Sequence, residues 1–179
     1  PVANSTSVAE TAMLLILECS RNVTLLHKTW VDDYYKAKLK IRKNTLNGKT
    51  LGLIGCGNIG SRLAVRALAM EMNVLAYDPY KPAADFPDGV EVVRDLDRIF
   101  KESDYVSLHT PNTPVTKNLV DKNRLAMMKP TAFLIICKSP AGPASMAEMS
   151  WGRPLPLAKQ LKILIHDDRI VKERIKRIE

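Results

Sequence analysis

The segment Gly55-x-Gly57-x-x-Gly60 constrains this chain more than any other, because of what stands on either side of it. Thr50 to Ile54 is a short apolar run of strand length that ends directly on Gly55. From about Asn58 the apolar residues Ile59, Leu63, Ala67 and Met70 recur at the spacing of one helix face. A second apolar run, Asn73 to Tyr77, closes on Asp78, eighteen residues beyond Gly60. A strand, a glycine loop, a helix and a strand ending in an acid form the pattern of a dinucleotide site. Gly55 serves the tight turn, Gly57 leaves room for a pyrophosphate, and Gly60 lets helix and sheet close on each other. Asn58 and Ile59 open the helix, whose unpaired N–H groups and positive dipole end face the phosphates. Asp78 is placed to accept hydrogen bonds from the ribose 2′- and 3′-hydroxyls. A carboxylate there repels a 2′-phosphate, so the expected cofactor is NAD rather than NADP.

The rest of the chain continues the alternation. Val90–Val93, Tyr105–His109 and Ala132–Cys137 read as strands, with helices expected over Asp95–Glu102 and residues 118–128. Short strands between helices predict an α/β fold, a Rossmann-type, mostly parallel sheet with flanking helices. Upstream, Ser7 and Glu10 have capping-box spacing, and Val8, Ala12, Leu15 and Cys19 form the apolar stripe of a helix running to about Asn22. A more polar helix over Leu25–Lys38, containing Trp30, Tyr34 and Tyr35, leads into a basic connection that ends in the turn pair Asn47-Gly48. After Cys137 the periodicity lapses into a Pro/Gly-rich stretch to Pro156, so the sheet is expected to be incomplete at its C-terminal end. Leu161–Ile165 offers one more strand and Ile170–Ile178 a terminal helix. The chain thus divides into a linking helix (1–24), a polar helix and basic connection (25–48), a dinucleotide-binding core (49–137) and an atypical segment with a basic tail (138–179).

Composition excludes several alternatives. With 179 residues, 46% hydrophobic and 26% charged, the chain suits one well-cored globular domain. Its densest apolar run, Met13 to Leu17, is five residues long, against the ~20 a bilayer span requires, so no membrane partner is expected. The polar opening after Pro1 predicts no secretory leader, and the lack of an initiating Met predicts a processed chain or a fragment. Cys19, Cys56 and Cys137 are odd in number and widely spaced, which fits neither a disulfide framework nor a metal site and points to the cytoplasm. The net charge of +8 sits in residues 21–50 and 151–179, whereas residues 51–150 hold eleven groups of each sign. Those basic flanks carry no recognised reading motif, so no specific nucleic-acid partner is expected.

The ordered motifs resemble the nicotinamide-binding domain of the D-isomer-specific 2-hydroxyacid dehydrogenases over about residues 4–136. Asn4-Ser5-Thr6-Ser7-Val8-Ala9-Glu10 is similar to the family's helix between domains, and Leu46-Asn47-Gly48-Lys49-Thr50 leads into the glycine loop as it does there. Val74 to Pro79, Ser103-Asp104-Tyr105-Val106-Ser107-Leu108-His109-Thr110-Pro111, Thr113-Pro114-x-Thr116 and Met128-Lys129-Pro130 extend the match. The resemblance implies hydride transfer between NAD(H) and a 2-hydroxy or 2-keto acid. It places His109, Thr110 and Pro111 beside the cofactor, with Thr116 near them, and implies a homodimer formed through the cofactor domain and its linking helix. His109 also ends a strand at the carboxyl edge of the sheet, where ligands bind in such folds, and is read as cofactor-side scaffolding rather than as the acid.

The resemblance breaks after Ile136. The family continues with Asn-Thr-(Ala or Ser)-Arg-Gly, whose arginine grips the substrate carboxylate, but here the chain reads Cys137-Lys138-Ser139-Pro140. Ser139 stands in the arginine's place, and a short neutral side chain makes no bidentate contact with a carboxylate. Neither Glu148 nor His166 has the surroundings of the family's glutamate–histidine pair, and His166, beside Asp167 and Asp168, is the one remaining candidate acid. A shifted frame, an aberrant splice and a fusion each account for such a break. Two functional expectations follow: the cofactor domain of a D-2-hydroxyacid dehydrogenase-like oxidoreductase, or a catalytically inactive NAD-binding or dimerisation module lacking the Arg-Glu-His set.

Overall fold

The computed structural model describes residues 4–23, 44–111, 113–116 and 119–137, together with the backbone of 162–166. The expected helix over 25–38, Ser139, Glu148 and the terminal helix over 170–178 lie outside the described residues. In chain order the elements are α1 (Ser5–Arg21), β1 (Thr50–Ile54), α2 (Asn58–Ala69), β2 (Asn73–Tyr77), β3 (Val90–Val92), α3 (Leu96–Glu102), β4 (Tyr105–Leu108), α4 (Lys122–Met127), β5 (Phe133–Cys137) and β6 (Lys162–His166).

All neighbouring strands pair in parallel, in the order β3-β2-β1-β4-β5-β6. This is the six-strand order of a doubly wound dinucleotide fold. Its sixth place is filled by the backbone of β6, whose His166 registers with Cys137. The strand expected over Leu161–Ile165 is therefore present, displaced by one residue.

Parallel strands covered on both faces need apolar side chains on both. Along β1, Leu51 and Leu53 enter one core with Ile16 of α1 and Leu63, Ala64 and Ala67 of α2. Ile54 enters the opposite core with Ile99 and Phe100 of α3 and Leu125 of α4. In β5, Ile135 joins the first core, and Leu134 and Ile136 join the second. This alternation fixes which helix lies on which face, and it brings α2 against β1 and β2 at the glycine loop.

Four sequence expectations are corrected. Helix α1 starts at Ser5 with Asn4 as its cap residue, so Ser7 lies inside the helix and its hydroxyl donates to the Asn4 carbonyl at 3.0 Å. The Ser7–Glu10 capping box is therefore not formed, and Glu10 pairs instead with Arg66 of α2 at 3.1 Å. The buried face of α1 is Ala9, Ala12, Met13, Ile16, Cys19 and Ser20, with Val8 and Leu15 only partly covered. It is turned towards small residues because α1 packs closely on α2 and β5. On α2, Met70 is not part of the buried face; it follows the last helical residue and is 45% exposed. Helix α4 begins only at Lys122, because Asp121 caps it by accepting the Arg124 N–H at 2.8 Å.

Candidate functional site

The carboxyl ends of β1 and β2 and the start of α2 form one cleft. The chain leaves β1 at Gly55 with φ +88°, a conformation that L side chains rarely adopt. The Gly55 N–H still donates to the Tyr77 carbonyl at 2.9 Å, so the turn begins in register with β2. A Cβ at Gly55 would come within 2.9 Å of the His109 backbone and 3.1 Å of the Thr110 methyl. A Cβ at Gly60 would fall on the Gly55 carbonyl oxygen, so the first turn of α2 is pressed onto its own loop. At Gly57 a Cβ would meet nothing within 4 Å. The loop is thus closed on its inner side and open on its outer one, as close approach by a pyrophosphate requires.

Asp78 occupies the end of β2 with both carboxylate oxygens engaged. Oδ2 accepts the Cys56 N–H at 2.9 Å, and Oδ1 accepts the Tyr80 N–H at 3.1 Å. An ionised carboxylate has about four acceptor positions, so two remain for a vicinal diol. The same side chain therefore fixes the glycine loop and offers the acceptors a ribose needs. The sequence pattern signals the second role and gives no sign of the first.

The cleft encloses about 530 Å³ beside Gly57, Asn58 and Asp78, and Arg62, Lys81 and Asp85 complete its far side. Sequence reasoning passed over Lys81. Its ammonium donates to the Cys56 carbonyl at 2.7 Å and to Ser61 Oγ at 2.8 Å, reaching back from the loop after β2. The Ser61 hydroxyl donates to the same carbonyl at 2.9 Å. The loop after β2, marked by proline at 79 and 82, was legible, but no spacing rule links a lysine to a backbone carbonyl 25 residues earlier.

At the adjacent strand end, the His109 N–H donates to the Ile54 carbonyl at 2.8 Å, and its ring Nε2 lies 2.9 Å from Ser107 Oγ. The ring Nδ1 is buried without a partner among the described residues. Burial lowers the imidazole pKa to about 4, so the ring is neutral near pH 7 and carries no imidazolium proton to give. That agrees with a scaffolding residue beside the loop. Thr116 holds its own loop together: its hydroxyl accepts the Thr113 N–H at 2.8 Å and donates to the Pro111 carbonyl. The structure thus brings Gly55, Gly57, Asn58, Ile59, Gly60 and Asp78 to one place and sets His109 and Thr110 against Gly55. Pro111 and Thr116 are tied to each other, and His166 is placed by its backbone at the end of β6.

The residues present fit a dinucleotide: an open approach at Gly57, a helix start behind it, and a carboxylate with free acceptor capacity. Comparisons with known proteins agree. The family model for the NAD binding domain of D-isomer specific 2-hydroxyacid dehydrogenases matches residues 13–137. A hydroxypyruvate reductase of Thermotoga maritima is 44% identical over 135 residues, 75% of this chain and 43% of that protein. A D-3-phosphoglycerate dehydrogenase of Methanocaldococcus jannaschii is 38% identical over 138 residues, 76% of this chain and 26% of that one. The NAD-complexed structure of a D-isomer specific 2-hydroxyacid dehydrogenase from Lactobacillus delbrueckii ssp. bulgaricus superposes with a TM-score of 0.66 at 33% identity, over 76% of this chain and 41% of that chain. A glycerate dehydrogenase related protein from Thermoplasma acidophilum gives a TM-score of 0.70 at 26% identity, over 92% of this chain and 55% of that chain. The chain spans less than half the length of the two curated relatives. It belongs to the D-isomer specific 2-hydroxyacid dehydrogenase family, of which it carries the NAD-binding domain.

Proposed function

We propose that the chain binds NAD(H) along Gly55, Gly57, Asn58, Ile59 and Gly60, with Asp78 on the adenosine ribose, and with His109, Thr110, Pro111 and Thr116 forming the neighbouring wall. In this reading it is the cofactor-holding part of an oxidoreductase that moves a hydride between NAD(H) and a 2-hydroxy or 2-keto acid. The observation that carries the assignment is the Asp78 carboxylate, bound to the Cys56 N–H at 2.9 Å and so held at the open glycine loop. A cofactor set on that loop extends along the carboxyl edge of the sheet, where ligands bind in open α/β folds. Calorimetric titration with NAD tests the reading directly; absence of binding by the folded chain refutes it.

A second reading is favoured by one residue. Ser139 stands where the family pattern has its carboxylate-gripping arginine, and a hydroxyl supplies neither the charge nor the paired donors of a guanidinium. On that ground the chain holds the cofactor without turnover of 2-keto acids by itself. Assembly as a cytoplasmic homodimer through α1 completes the proposal, supported by the exposed Leu14 and Val23 at that helix and its end. Among the described residues, no helix is long and apolar enough to cross a membrane.

A further inference from the structure

Gly57 lacks a side chain so that a pyrophosphate can come close, and the same lack leaves its backbone under-determined. It stands at φ −73° and ψ −152°, directly before the first residue of α2, and a Cβ there would meet nothing within 4 Å. The peptide that joins Cys56 to Gly57 is planar, and with glycine on one side it can turn over with little movement of its neighbours. In one orientation it presents its N–H to the open side of the loop, in the other its carbonyl oxygen. Only the first suits a diphosphate, which backbone N–H groups attract and a carbonyl oxygen repels.

The structure holds this peptide by its carbonyl. The Cys56 oxygen accepts from the Lys81 ammonium at 2.7 Å and from the Ser61 hydroxyl at 2.9 Å. Lys81 also donates to Ser61 Oγ at 2.8 Å, which leaves the one hydroxyl proton of Ser61 for the same carbonyl. The peptide is trans, so the Gly57 N–H points away from both donors. Among the described residues that N–H has no acceptor. Asp78 fixes only the preceding peptide, through the Cys56 N–H at 2.9 Å. The orientation of the next one is thus left to Lys81 and Ser61. Of the two, only lysine is charged, and a charged donor on the carbonyl also polarises the N–H at the other end of the same peptide. The buried ring of Phe86, with its centroid 5.2 Å from Nζ, keeps the ammonium in place.

We propose that Lys81 is a positioning residue for the dinucleotide, whose ammonium locks the Cys56–Gly57 peptide with its N–H rather than its carbonyl turned to the diphosphate. The inference rests on the cofactor reading given above and adds to it how the loop is kept ready. Lys81 acts here through the peptide, so its effect falls on the diphosphate and not on the adenosine.

The test compares the full chain with Lys81→Met and Lys81→Arg. Each is titrated with NADH, ADP-ribose and adenosine, and the backbone amide resonance of Gly57 is recorded without ligand. If Lys81→Met lowers the share of the outward N–H to about one tenth, NADH and ADP-ribose bind ~10-fold more weakly. Adenosine, which has no diphosphate, is expected to bind as before, and Lys81→Arg to recover most of the loss. The Gly57 resonance is expected to move upfield or broaden in Lys81→Met and to return in Lys81→Arg. Thermal unfolding reports whether each variant keeps its fold. Should Lys81→Met not fold, Ser61→Ala, which removes the other donor to that carbonyl, carries the same expectations. Unchanged ADP-ribose affinity in the variant overturns the proposal, as does an unchanged Gly57 resonance. So does an equal loss for adenosine and ADP-ribose, the mark of a side chain that only braces the loop. Failure of the unaltered chain to bind NADH refutes the cofactor reading itself, and the positioning role with it.

Discussion

Replacing Asp78 by alanine separates the loop-holding contacts seen in the structure from the ribose-binding role proposed for the same carboxylate. Its Oδ2 accepts the N–H of Cys56, a fully buried residue, and its Oδ1 accepts the N–H of the exposed Tyr80. In Asp78→Ala the Tyr80 N–H is hydrated at little cost, but the Cys56 N–H loses its acceptor in a place water reaches poorly. An orphaned buried donor costs about 1–3 kcal/mol. For a domain of this size, that loss corresponds to a fall in melting temperature of roughly 2–4 °C per kcal/mol. The ribose loses its acceptor as well, and a hydrogen bond to a charged group contributes about 1.5–3 kcal/mol, so NAD binding should weaken by ~10- to 100-fold. The preference for NAD over NADP should fall in the same variant, since the repelling charge is gone. Urea denaturation reads the first effect, and calorimetric titration with both cofactors reads the second. Unfolding curves that superpose, within about 0.3 kcal/mol, would refute the loop-holding role even if cofactor binding were lost.

Gly60→Ala places a methyl group on the Gly55 carbonyl oxygen, a backbone atom, and should cost about 1–3 kcal/mol and weaken NAD binding; a melting curve equal to the parent's would contradict the packing of α2 on its loop. The lowered pKa of His109 means that the unfolded chain binds more protons than the folded one between about pH 6.5 and 4. Stability from this group is therefore complete above pH 6.5 and is lost as pH falls towards 4, by ~2–3 kcal/mol at pH 4.5. His109→Gln should remove that component, which denaturation at pH 7 and pH 4.5 in both proteins will show. With NADH and glyoxylate, pyruvate or hydroxypyruvate, absorbance at 340 nm should show no turnover by the unaltered chain; turnover that disappears in His166→Ala would overturn the non-catalytic reading and make His166 the acid. Ser139→Arg in the same assay tests whether that one position limits the reaction.

Strand positions were legible because local chemistry marks their ends. Gly55 closes β1, the Asp78-Pro79 pair closes β2, and each observed strand lies within one residue of its expected span. The place of Asp78 directly after β2 was legible for the same reason, since it stands at a fixed distance from the glycine loop. The buried face of α1 was not. Ser5, Ala9 and Ser20 are buried there because close contact with α2 and β5 selects small side chains, and size carries no hydrophobic signal. Lys81 was missed because its partner is a main-chain carbonyl, which looks the same at every position of a sequence. Thr116 was legible only as part of a family pattern: the hydrogen bonds of its hydroxyl to Thr113 and Pro111 leave no trace in the spacing of residues.

The all-parallel sheet has a kinetic consequence for the cofactor site. No parallel strand can find its neighbour through a tight turn, so each pairing must close a long loop. Thr50 meets Asn73 across 23 residues (73 − 50), whereas Leu51 meets Tyr105 across 54 (105 − 51). The longer closure costs about 0.8 kcal/mol more in chain entropy and brings no contact until it is complete. Gly55, Gly57 and Gly60 lie inside the shorter loop, and Asp78 directly follows β2, the strand that closes it. The half of the candidate site that holds the glycine loop and Asp78 is thus carried by the β1-α2-β2 unit. The His109 wall follows only when β4 takes its place beside β1.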